Sequence, residues 1–335
     1  MPAGASPNWL NQVTEETLEP ELPICDPHHH LWDYPDSAYL LPELLADTGS
    51  GHNVVSTVFV ECDAMFRAEG PEAMRPLGET DFVNGVAAMS ASGLYGATRA
   101  AAGIVSFADL MLGSAAGEVL DAHMAITSRF KGIRHSASWD ASSAVRNSHS
   151  KPFEHMLASA TFREGFAELG KRGLSFDSWL YHPQLSGLTD LARAFPDTTI
   201  ILDHFGGPLG IGPYAGNRDE IYAQWKLDIA ALASCPNVHA KLGGLVMAIN
   251  GFGFNKAARP PTSDELVEAT RPWYDYAIEV FGVERCMFES NFPVDKASCS
   301  YNVLWNSFKK IAAGASKAEK ASLFHDTAAR VYRLA

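Results

Sequence analysis

The chain has 335 residues and a mass of 36.2 kDa, enough for one barrel-sized domain or two smaller ones. Hydrophobic residues make up 47% and charged residues 19%, an ordinary globular composition that argues against a long disordered tail. A formal charge of −13 disfavours nonspecific attraction to nucleic acid or anionic membrane, while leaving room for a local basic pocket that takes an anionic substrate.

The five cysteines are odd in number, scattered and without CxxC spacing, so they read as reduced thiols of a cytoplasmic protein. The start, MPAGASPNWLNQ, has neither a basic nor an apolar region of the kind that directs export, and no apolar run of membrane-spanning length follows. A small molecule is the expected partner, and assembly into a homo-oligomer stays open.

Residues 1–21 carry Pro, Glu and Asn with little periodicity and read as an extended lead-in to a domain spanning 22–335. The first strand is expected over residues 22–28. It leads into ICDPHHHLWD, where Asp26, His28 and His30 fall at every second position and would share one face of an extended chain. Two imidazoles on one face can share a divalent metal such as zinc, whereas the plainer reading is a His-rich surface loop. His29, between them, should point the other way.

LWDYPDSAYLLPELL is aromatic and proline-punctuated and reads as a long loop near the same end. VVSTVFVEC (54–62) is a continuous β-branched run of the kind buried parallel strands require. Residues 70–91 suit a helix, 101–107 a third strand, 109–130 a helix and 131–137 (KGIRHSA) a fourth strand. The pattern continues with a helix over 150–169, a strand over 173–180, a helix over 184–195 and the strand TTIILDH at 198–204, closed by the turn FGGP. A helix over 219–233, a strand over 237–243, a helix over 263–281 capped by Ser263, a strand over 285–291 and terminal helices over 301–334 complete the chain. Eight strands alternating with helices predict a single-domain α/β fold, a (β/α)8 TIM barrel, whose chemistry gathers at the C-terminal ends of its strands.

Polar residues fall repeatedly at those ends. His28 and His30 follow strand one, Glu61 ends strand two, Arg134 and His135 end strand four, and His182 follows strand five. Asp203 and His204 close strand six, His239 and Lys241 lie in strand seven, and Glu289 and Asn291 finish strand eight. In a barrel these positions converge on one mouth.

With DPHHHLWD, KGIRH, ILDHFGGP and RCMFESNFPVDK in this order, the chain resembles the amidohydrolase-2 group of the amidohydrolase superfamily from Ile24 to about Ala335. The resemblance implies a metal-dependent, lactonase-like hydrolase. It makes His28 and His30 first-strand metal ligands, sets His182 near the family's fifth-strand histidine, and matches His204 to a sixth-strand histidine that touches metal, water or substrate. The eighth strand departs from the pattern, because Asn291 stands where the family usually has a catalytic aspartate. A carboxamide has no basic group near neutral pH, so the base lies elsewhere or no water is activated. His204 is the preferred acid/base group and Glu289, at Asn291's strand parity, the second choice.

Arg134 can bind a substrate carboxylate or simply pair with an acidic neighbour. Glu61 reads as a base or as an orienter of the histidines, and Lys241 as a base, a carbamylated metal bridge or an ion-pair partner of Glu61 or Glu289. His135, Trp32 and Lys241 join Arg134 as candidate substrate contacts. Trp32, Tyr34, Phe66, Trp139 and Trp179 are aromatics that can wall a pocket or fill the core. His52, His123, His149, His155 and His325 need no catalytic explanation. The expected activity is the opening of a lactone or related cyclic ester of a carboxylated molecule with a divalent metal, zinc by preference. Asn291 keeps a metal-independent lactonase open, as well as a lyase (decarboxylase or hydratase) and a barrel that only binds.

Overall fold

The computed structural model describes residues 5–334; residues 1–4 of the lead-in and Ala335 at the end of the domain lie outside the described residues. Eight parallel strands form the sheet: β1 (Pro23–His29), β2 (Asn53–Val60), β3 (Arg99–Ser106), β4 (Phe130–Arg134), β5 (Ser175–Ser178), β6 (Ile200–Leu202), β7 (Val238–Leu242) and β8 (Cys286–Phe288). Each pairs with the next in chain order. The sheet closes just beyond β8, where the His30 N–H donates to the Phe292 carbonyl at 2.8 Å and the Asn291 N–H donates to the His28 carbonyl at 3.0 Å. The result is the expected barrel.

The covering helices are α1 (Leu41–Thr48), α2 (Leu77–Ala91), α3 (Ala116–Ile126), α4 (Ala160–Lys171), α5 (Leu185–Ala194), α6 (Arg218–Ala233), α7 (Ser263–Phe281) and α8 (Tyr301–Ile311). Helix α7 has the expected bounds, but its cap is Thr262. The Glu265 N–H donates to the Thr262 hydroxyl while the Thr262 N–H donates to the Glu265 carboxylate, a reciprocal capping box. Helix α4 starts ten residues later than its polarity pattern suggests. Lys151 and His155 have positive φ and Pro152 lies between them, so residues 135–159 form a long loop over the mouth. The segment expected to be one loop after β1 is a small hairpin (Trp32–Tyr34 with Ser37–Tyr39) running into α1. The lead-in includes a short helix, Pro7–Leu10, and is strapped to α7 and α8 by Glu15, which accepts from Ser263, and Leu18, whose carbonyl accepts from Lys309.

Two layers fill the barrel. The lower one is apolar: Cys25, Val58, Val105, Ile201 and Met287 meet Ala328 and Val331 of a C-terminal helix, Thr327–Val331, and Tyr332 at its end, which together plug the floor. The upper one is polar, because the strand period carries the next inward positions to Asp177, Asp203, Lys241 and Glu289. Asp26 does not join them. The ladder shifts register between Asp26 and His29, around a proline that cannot donate. Asp26 instead accepts from the Ser290 N–H at 2.9 Å and from the Tyr301 hydroxyl at 2.9 Å. All five cysteines are buried free thiols, and among the described residues no helix is long and apolar enough to cross a membrane.

The Tyr332 hydroxyl links the two layers by donating to Asp177 at 2.6 Å. Tyr332→Phe removes that donor from a buried carboxylate and is expected to lower unfolding free energy by about 1–3 kcal/mol in urea titration, with unchanged far-UV circular dichroism.

Candidate active site

Glu289 sits at the inner end of the mouth, fully buried, between two histidines. Its Oε1 accepts from His204 Nδ1–H at 2.6 Å, and its Oε2 lies 3.0 Å from His28 Nδ1, a close polar contact. Burial pushes the Glu289 carboxyl up, but the His204 and His28 rings outweigh it and bring the group down to about 2. His204 is held from the other side by the glycine turn after β7. Gly244 has φ 75° and a Cβ there would fall 2.5 Å from His204 Nδ1, so only glycine leaves room for the ring.

His30 stands beside this group, its ring centroid 4.9 Å from that of His28 and nearly perpendicular to it. Its Nδ1–H donates to the Val60 carbonyl at 2.8 Å, which fixes the tautomer and leaves Nε2 as an acceptor. Burial, then His28 and Arg134, hold its pKa well below the ordinary value, so the ring is neutral. His29 points the other way as expected and accepts from Thr57.

Lys241 is the cation of the polar layer. It donates to Asp177 at 2.6 Å, lies 3.1 Å from Asp203 Oδ1 and 3.1 Å from His28 Nδ1, and is completely buried. Its ion-pair partners are therefore Asp177 and Asp203, which replace the expected Glu61 or Glu289. Burial raises Asp177 to about 6, whereas in Asp203 the same effect is overcome by Lys241 and His28, and the carboxyl stays well below its usual range.

Arg134 is spent largely on Glu61. Its Nε donates to Glu61 Oε1 at 2.7 Å and its Nη2 to the Glu61 carbonyl, leaving Nη1 3.4 Å from His28 Nε2 and 3.6 Å from Asp203. The guanidinium is thus an internal counter-ion, with one edge left toward the histidines. The other Glu61 oxygen, Oε2, lies 3.3 Å from Nε2 of His149, on the loop over the mouth. Nothing in the local sequence marked His149. Its approach depends on the fold of the 135–159 loop, and only the later view of Glu61 as a strand-end carboxylate could have prompted a search for its partner.

Several expected contributors lie elsewhere. His182 accepts from the Leu209 N–H at 3.2 Å and packs edge-on against Tyr214, apart from the other histidines, so it is not part of their donor set. The cause is local: β5 ends at Ser178, and the turn after it carries His182 past the mouth. His135 follows Arg134 on the strand and so faces outward. It accepts from the Leu110 N–H at 3.0 Å and packs on Phe107 and Phe162. Trp32 is buried in the hairpin, where its indole donates to Ser37 and its ring stacks over His30 at 6.2 Å. Asn291 adopts φ 55° and its amide donates to Asp295 at 3.1 Å, which turns the side chain back into the fold.

His28, His204 and Glu289 present donor atoms all within 4.8 Å of one another, two imidazoles and a carboxylate of the kind a divalent ion accepts. Charge agrees with this. Among the described residues, Glu61, Asp177, Asp203 and Glu289 are buried around two permanent cations, Arg134 and Lys241, and Glu289 Oε2 and both Asp203 oxygens have no hydrogen-bond donor. The residues present therefore fit a divalent metal, supported by His28, His204 and Glu289 in place of the expected His28, His30 and His182.

The amidohydrolase family model matches residues 25–334. The uncharacterized protein y4mH of Sinorhizobium fredii (strain NBRC 101917 / NGR234) is 35% identical over 94% of this chain and 99% of its own length. An L-fucono-1,5-lactonase of Burkholderia multivorans is 28% identical over 52% of this chain and 56% of its own. Among solved structures, an amidohydrolase from Burkholderia multivorans with bound zinc superposes with a TM-score of 0.73, covering 93% of this chain and 99% of that one at 23% identity, a likeness of fold.

The Lys241 site generates a stability prediction. Lys241→Met leaves Asp177 and Asp203 buried without their ammonium and is expected to cost about 3–5 kcal/mol in urea unfolding. Adding Asp177→Asn should recover part of that loss; an unstable single variant with no recovery in the double would contradict the pairing.

Proposed function

The chain belongs to the amidohydrolase family, an enzyme family, and from that premise we propose that it hydrolyses a lactone or related cyclic ester of a carboxylated small molecule. The observation that carries this reading is the convergence of His28, His204 and Glu289 beside a second, tautomer-locked histidine at the strand ends. The partial similarity to a protein named L-fucono-1,5-lactonase supports a cyclic ester as the substrate type.

His28, His204 and Glu289 would hold the divalent ion, zinc by preference for two imidazoles and a carboxylate. Bound there, such an ion supplies Lewis-acid polarisation of an ester carbonyl. The chain's own groups supply the remainder. His30, neutral and with Nε2 free, accepts the proton of the attacking water, the task Asn291 cannot perform. Glu289 stays ionised and fixes the orientation of His204. Lys241 and Arg134 keep Asp203 and Glu61 charged without spending the histidines on that task. The roles of the histidines are thus exchanged relative to the sequence expectation, with His204 among the ion's ligands and His30 the proton acceptor.

Two measurements test this. On a panel of five- and six-membered lactones, chelation should abolish turnover and zinc restore it, and Glu289→Gln should reduce it by about 100-fold or more. In 18O-labelled water the product carboxylate should carry one solvent oxygen. Release of carbon dioxide without that oxygen would replace hydrolysis by decarboxylation.

A further inference from the structure

On the lactonase reading the ester carbonyl lies at His28, His204 and Glu289, so the rest of the molecule meets the side chains that surround those rings. One line of contacts crosses the mouth through them. Glu61 pairs with Arg134, whose Nη1 lies 3.4 Å from His28 Nε2. The His28 ring centroid is 4.4 Å from that of His204, and the His204 ring meets the indole of Trp179 edge-on at 4.9 Å. The line is charged where it starts, at the ends of β2 and β4, and apolar where it finishes, after β5.

The apolar end is a wall built by three loops. Trp179 and Tyr181 follow β5, Leu209, Ile211 and Tyr214 follow β6, and Ile249 follows β7, and all six pack in one cluster. Tyr181 and Leu209 are buried, whereas Trp179, Ile211, Tyr214 and Ile249 are only half-buried. Trp179 thus touches the buried His204 and still keeps part of its surface open. Its place is fixed from below by Gly207, which has φ 50° and where a Cβ would fall 3.0 Å from the six-membered ring of the indole. Tyr181 packs edge-on against the indole at 5.7 Å.

The polar tips of this wall are already used. The Tyr181 hydroxyl donates to the Arg146 carbonyl and the Tyr214 hydroxyl to Asp140 at 2.7 Å, which leaves the indole N–H of Trp179 as the wall's remaining side-chain donor among the described residues. A ring bearing several hydroxyls would lose its hydrogen bonds to water there and regain at most one from the wall's side chains. An alkyl or aryl group would instead bury apolar area against the indole and its aliphatic neighbours.

We propose that Trp179 is a specificity-determining residue and that the substrate is a lactone whose ring carries an alkyl or aryl substituent, which lies on the open part of the indole while the carbonyl lies at His28, His204 and Glu289. The inference rests on the lactonase reading and narrows it. The substrate is amphipathic, with its apolar group toward Trp179 and its carboxylated part toward the charged end of the line. Polyhydroxylated lactones are poor substrates for the same reason, because the wall has too few free partners for their hydroxyls.

The test compares three lactones that share a six-membered ring. With the zinc-loaded wild-type enzyme, δ-decalactone, which carries a pentyl chain, should exceed the polyhydroxylated D-glucono-1,5-lactone by about 100-fold in kcat/KM. Trp179→Ala should lower the ratio of kcat/KM for δ-decalactone to that for unsubstituted δ-valerolactone by about 10-fold, mainly through KM, and Trp179→Phe, which keeps an aromatic face, should restore most of it. Equal turnover of the first two, or preference for the polyhydroxylated one, would overturn the substrate class and leave the lactonase reading standing. An unchanged ratio in Trp179→Ala would overturn the role of Trp179. No turnover of any of the three would overturn the lactonase reading and this inference with it. Independently of turnover, calorimetric titration of the full chain should show 5-hydroxydecanoate binding about 10-fold more tightly than 5-hydroxypentanoate, a difference lost in Trp179→Ala. Equal binding of the two hydroxy acids to the wild type would overturn the apolar contact.

Discussion

Glu289 is the constraint on which the mouth of this barrel depends. A fully buried carboxylate must find positive or hydrogen-bonding partners, and this one finds two imidazoles, His204 at 2.6 Å and His28 at 3.0 Å. The pairing orients both rings and leaves His30, held separately by the Val60 carbonyl, beside them. Around this centre Lys241 faces both Asp177 and Asp203, and Arg134 faces Glu61. These groups lie above an apolar floor closed by the C-terminal helix, so their charge is poorly screened and each partner matters. The acidic surplus that remains is what suits the site to a divalent cation.

Much of the fold could be read from the sequence because it rests on local signals. Runs such as VVSTVFVEC and TTIILDH suit strands buried on both faces, and their alternation with helical segments points to a parallel α/β sheet, which eight strands close as a barrel. Strand ends and helix starts were less legible. The late start of α4 follows from the positive φ of Lys151 and His155, which a helical polarity pattern does not reveal.

The candidate site was legible where strand parity holds. Lys241, Asp203 and Glu289 all come to the interior because a two-residue period puts them there. It failed where parity is broken or a turn intervenes. Cys25 faces the interior, so Asp26 faces out to Tyr301 and the register shift at Pro27 turns His28 inward; the turn after β5 carries His182 to Tyr214, and the left-handed Asn291 folds back onto Asp295. His149 was passed over for another reason: it lies on an irregular loop, and only the folded chain brings it to Glu61. Arg134 fell between these cases. Its position was foreseen, but whether it would face substrate or carboxylate depended on Glu61 ending the neighbouring region of the sheet on the same inner face.

The central claim is that His28, His204 and Glu289 form the divalent-ion site. Anomalous diffraction from crystals grown with zinc, recorded on both sides of the zinc absorption edge, tests it most directly. The account predicts one strong anomalous peak bonded to those three side chains, with His30 beside it and His182 uninvolved. A peak bonded to His182, or no peak among the mouth histidines at saturating zinc, would contradict it.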